Sequence, residues 1–84
     1  TTPLQSLALY NNDFILRQAC YLAERIEKAA GPNLKEQINQ AFRIVFNRPP
    51  NEEEMEISKS VLEEENLFVL CRSLINSNEF FYFD

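Results

Sequence analysis

The chain has no histidine, no tryptophan and a single glycine, and its charge balance is acidic rather than basic. Each of these closes off some chemistry. Without histidine there is no Ser-His-Asp or Cys-His nucleophile system. The Glu-x-x-His pairs that hold a di-iron centre inside a helix bundle are missing too, and two distant cysteines do not make a zinc site. One glycine cannot build a phosphate-cradling loop. The acidic stretches lack the central glycine and alternating oxygen ligands of a calcium loop. A net charge of −5 on 84 residues leaves no basic stripe to track phosphates, which argues against nucleic acid and against an anionic membrane surface. No apolar run approaches the roughly 18 residues a membrane span needs. The residues therefore point to no catalytic, cofactor-binding or metal-binding set. The carboxylates that abound are expected to be solvated helix-face glutamates.

What the chain does have is helix-forming residues between few breakers. Its hydrophobic fraction of 45% is ordinary for a globular domain and too high for a disordered segment. Thr2-Pro3-Leu4-Gln5 reads as a helix start, with a cap, a proline at the first helical position and a capping-box partner. The short helix it opens ends near Tyr10. Asn11-Asn12-Asp13 starts a second helix over residues 13–30, with Ile15, Ala19, Leu22 and Ile26 on one face. Gly31-Pro32 ends it, because glycine accepts the left-handed conformation and proline cannot continue a helix. Asn33 caps a third helix carrying Leu34, Ile38, Ala41 and Val45, thickened by Phe42 and Phe46. Arg48-Pro49-Pro50 stops it.

Asn51 caps a fourth helix with Glu52, Glu53 and Glu54 at its positive end. Its apolar face is thin, Met55, Val61 and Leu62 with Ile57 beside it, so it is expected to be the most exposed of the long helices. The acidic run 63–65 and Asn66 lead into a fifth helix with Leu67, Leu70, Cys71, Leu74 and Ile75 in register. The periodicity lapses at Asn76-Ser77-Asn78, and a tail of Phe80, Phe81, Tyr82 and Phe83 follows. Such a tail either covers a core or waits for a partner. The expected fold is all-α: one domain over residues 1–84, about four principal helices, a short N-terminal helix and an aromatic C-terminal tail.

Two sets of residues carry structural expectations. Arg48, fixed between an ending helix and two prolines, is expected to reach the carbonyls that end the last helix, or Glu79, and so pin the tail; the alternative is a solvated loop arginine. Cys20 and Cys71 both fall beside apolar residues and read as two buried thiols. A bridge between them is the alternative and requires an oxidising compartment. The chain opens without an initiator methionine and is expected to be a piece of a longer protein.

Three stretches together carry a resemblance. They are Thr1 through Leu9 with Asn11 or Asn12 before Phe14; Ala41-Phe42-Arg43 running to Arg48-Pro49-Pro50 and Glu53-Glu54; and Leu74-Ile75-Asn76-Ser77-Asn78-Glu79-Phe80 with Tyr82. This resembles the C-terminal region of a planctomycete-specific family of unknown function. Its large proteins often carry a cytochrome c-like domain nearer the N-terminus. The resemblance implies an exported, extracytoplasmic parent, in which a Cys20–Cys71 bridge is permitted. It implies no catalytic residue here, and the haem attachment motif Cys-x-x-Cys-His is absent from the chain.

The function expected is a non-catalytic structural or interaction module whose partner is the rest of the parent chain or another protein. Two other readings stand beside it. One is a carbohydrate- or peptide-binding module using Phe80, Phe81, Tyr82 and Phe83. The other is a surface that completes an active site or an electron-transfer dock, with the fourth-helix glutamates steering a basic partner.

Overall fold

The computed structural model describes residues 13–82, with side chains through Ser77. The expected short helix over residues 2–10 lies outside the described residues, as does Phe83. Four helices follow one another: α1 (Asp13–Ala30), α2 (Leu34–Phe46), α3 (Glu52–Glu64) and α4 (Leu67–Tyr82). Among the described residues there is no strand, and no helix is long and apolar enough to cross a membrane.

The connections are short, which favours folding neighbouring helices back on one another. Gly31 takes the left-handed conformation (φ 63°) and its N–H donates to the Glu27 carbonyl at 2.9 Å, so α1 ends where glycine is cheapest. Asn33 caps α2 by accepting from the Glu36 N–H at 2.9 Å. Asn47, also left-handed (φ 59°), donates to the Arg43 carbonyl and closes α2. Asn51 opens α3 with a complete capping box: it accepts from the Glu54 N–H while the Glu54 carboxylate accepts from the Asn51 N–H, both at 2.8 Å. Asn66 does the same work for α4 by accepting from the Val69 N–H.

Helix α4 touches all three others and packs most extensively on α1; α2 also touches every other helix, whereas α1 and α3 share little contact. The central pair α2 and α4 is thus flanked by α1 and α3. The core is built from the stripes that the spacing predicts. Ile26, Ile38 and Cys71 are fully buried, surrounded by Ala19, Leu22, Ala23, Ala41, Phe42, Leu67, Leu70 and Leu74. Each large apolar side chain so buried contributes about 1.5–3 kcal/mol. Helix α3 is the peripheral one: only Ser58 on it is buried, and Ile57 stays 58% exposed.

Two expectations are corrected. The last helix does not stop at Asn76-Ser77-Asn78 but continues to Tyr82, so Glu79 is a helical position rather than a loop one. Within that stretch the Ser77 hydroxyl is taken up by the helix, donating back to the Ser73 carbonyl at 3.0 Å, as the Ser73 hydroxyl does to the Val69 carbonyl at 2.9 Å. Nor are both cysteines buried. Cys71 is, but Cys20 is exposed, and both are free thiols. Cys20 sits one residue past fully buried Ala19, about 100° further round α1, which carries it off the buried face. A Cys20–Cys71 bridge is not formed.

Candidate functional site

The best-organised polar cluster lies where α2 ends and α3 begins. Arg48 forks onto Glu54, Nη1 to Oε1 and Nη2 to Oε2, both at 2.8 Å, while Nη1 also donates to the Pro49 carbonyl at 3.1 Å. The two-bond geometry suits the planar guanidinium. Its carbon lies 5.4 Å from the Phe46 ring centroid and 5.9 Å from that of Phe42, and these two rings pack on each other at 5.5 Å. One side chain thus joins the last turn of α2 to the first turn of α3 across two prolines. Arg48 had been expected at the far end of the last helix or on Glu79. Both of its terminal nitrogens are on Glu54 instead, and the Glu79 side chain lies outside the described ones. Glu54 is aimed at Arg48 by the capping box, its Oε1 also accepting from the Asn51 N–H. Arg48 and Ser77 line the same groove, which sets Arg48 beside the last described side chains of α4.

The hydrogen bond from Arg48, and then that from the Asn51 N–H, hold the Glu54 carboxyl down at about 2. Arg48 is in turn raised by its bond to Glu54. Burial, with the nearby Glu27 charge, pushes the Cys71 thiol up to about 12. Glu54 is therefore locked as an anion and Cys71 as a neutral thiol. Neither can exchange a proton or attack as a thiolate near neutral pH. The other acidic side chains of α3, among them Glu52, Glu53 and Glu56, are exposed. Among the described residues no three His, Cys, Asp or Glu side chains converge.

Among the depressions on the described surface, two have apolar side chains from several helices. The larger, about 690 Å³, runs between α3 and α4 over a floor of Phe42 and Phe46, with Ile57, Val61, Leu70 and Leu74 on its walls and the Arg48–Glu54 pair among its lining. The smaller, about 430 Å³, involves Phe14, Tyr21, Arg25 and Ile44 of α1 and α2; Phe14 and Tyr21 are 58% and 61% exposed. Spacing placed Ile57 only beside a thin stripe, and the groove becomes visible once α3 and α4 are seen to straddle the Phe42 and Phe46 rings. Gln37 was also missed. It is buried and donates to the Gly31 carbonyl at 2.6 Å, a tie no local pattern announces. Of the aromatic positions, Phe80, Phe81 and Tyr82 lie in the last turn of α4, their side chains outside the described ones.

No curated protein and no solved structure matches this chain. Residues 1–62, which reach nearly to the end of α3 and include Arg48, Pro49, Pro50 and Glu54, match a known family. The chain belongs to the family described as PSD1, protein of unknown function (DUF1553).

Proposed function

We propose that this chain is a non-catalytic helical module that holds or recruits other protein, within a large exported parent of the planctomycete type whose redox chemistry, where a cytochrome c-like domain is present, resides elsewhere. The observation that supports this reading is how the chemically distinctive groups are used. Arg48 and Glu54 fasten α2 to α3, and Cys71 is a core side chain. These groups are engaged in holding helices together, and the apolar surface that is left over forms open grooves of the kind that accept a partner.

The test is a binding titration of this chain against the separately produced chain that precedes it in the parent. Association that weakens when Phe80, Phe81 and Tyr82 are changed to Ser is the expected result. A stable monomer with no affinity for the preceding chain rejects the reading. Carbohydrate recognition by the tail ranks second. A screen of oligosaccharides reporting on tyrosine fluorescence checks it directly.

A further inference from the structure

We infer that the groove between α3 and α4 is a docking site for a basic amphipathic helix. The inference deepens the reading of the chain as an interaction module, and it rests on that reading. Apolar walls come from both helices over the Phe42 and Phe46 floor, and Ile57 stands 58% exposed at the lip. On α3 the groove residues run from Glu54 to Val61 and on α4 from Leu70 to Ser77, about 10 Å or two helical turns in each case. That length matches apolar anchors spaced i, i+3 or i+4, and i+7 on a partner helix.

The lip selects the partner's charge. Ile57 is flanked on the exposed face of α3 by Glu53, one turn before it, and Glu64, two turns after it, which border the groove without lining it. The helix carries six glutamates against the single Lys59. The one cation among the described residues that line the groove, Arg48, is paired with Glu54 and lies over the Phe46 ring. Arg72 of α4 lies over Phe68 and does not line the groove. An apolar trough with an acidic lip and no free cation among its lining residues complements apolar anchors bordered by Lys or Arg. A second copy of this chain, also at −5, would bring like charges together.

The test uses the whole 84-residue chain and a labelled peptide of about 14 residues, long enough for three to four helical turns. The peptide carries leucines at i, i+3, i+4 and i+7, with lysine and arginine elsewhere. Two controls are a peptide with glutamate in place of the basic residues and a basic peptide with serine in place of leucine. The basic amphipathic peptide is expected to bind and to shift the methyl signals of Ile57, Val61, Leu70 and Leu74 while those of Ile15 and Ile44 stay put. Ile57→Asp, at an exposed position that leaves the fold intact, is expected to weaken binding about tenfold or more. Glu53→Lys combined with Glu64→Lys is expected to abolish the salt dependence of the affinity.

Equal binding of the acidic or the serine peptide overturns the inference. So does an unchanged affinity with Ile57→Asp, self-association through the same methyls, or shifts centred on Phe14 and Ile44. If the peptide fails to bind the unaltered chain while association with the parent's preceding chain persists, the docking inference falls and the interaction-module reading stands. Peptide binding at the groove with no affinity for the preceding chain separates the two in the other direction.

Discussion

Glu54 is where a single residue's environment makes a solution prediction. Its folded carboxyl is held at about 2 by Arg48 and the Asn51 N–H, below the ordinary carboxylate range that applies in the unfolded chain. Stability from this charge is therefore fully present above about pH 4.5 and is lost as pH falls through about 2. Thermal melts of the chain and of Glu54→Gln should differ at pH 6 and converge toward pH 2. A difference that persists at pH 2 would assign the effect to packing. Both partners of the pair are partly exposed, 48% for Arg48 and 29% for Glu54, so solvent screening keeps the contribution modest. The cysteines make the second prediction at this scale. Under native conditions a thiol reagent should modify Cys20 quickly and leave Cys71 untouched until denaturant is added. Air oxidation should give a Cys20–Cys20 dimer and no internal bridge.

At the scale of the element, helix ends decide much of what holds. Asn51→Ala removes the acceptor for the Glu54 N–H and is expected to cost about 1 kcal/mol in denaturant unfolding. Gly31 has open space where a Cβ would lie, so Gly31→Ala meets no clash; the left-handed φ of 63° alone makes it unfavourable. A loss of about 1 kcal/mol is expected; an unchanged midpoint would mean that the turn relaxes to another conformation. These ends were legible because caps are local. Asn33, Asn51 and Gly31-Pro32 act within three or four residues of themselves, and the same chemistry operates in the sequence and in the fold. The run through Asn76-Ser77-Asn78 was misread for the matching reason. Polar residues that often end helices also continue them when their hydroxyls bond back to the preceding turn, and α4, packed on three neighbours, has support that local propensity does not count.

For the molecule as a whole, the size of the core sets the tolerance. A chain of this length buries only about 60% of its unfolded surface, and its fully buried large side chains are few. Ile26→Ala or Ile38→Ala should each cost about 2–5 kcal/mol, a large share of the total for a small domain. Circular dichroism melts should show either variant largely unfolded well below the midpoint of the parent sequence. A loss under about 1 kcal/mol would mean that the core collapses around the cavity.

The fold class, the extents of α1, α2 and α3 and most of the buried stripes were determined by the sequence itself, because helical periodicity and capping are properties of neighbouring residues. Ile15, Ala19, Leu22 and Ile26 could face only one way on a helix, and that face was apolar. What the tertiary structure decided are the choices among distant or competing partners. Arg48 had carboxylates and carbonyls within a long arginine's reach, and the path of residues 47–51 set Glu54 against its fork. Cys20 and Cys71 both sat beside apolar residues, and the packing of α4 on α1 buried Cys71 while Cys20, off the packed face, stayed in solvent. The groove under Ile57 exists only because α3 packs at the edge of the central pair, and no spacing along the chain contains that packing geometry.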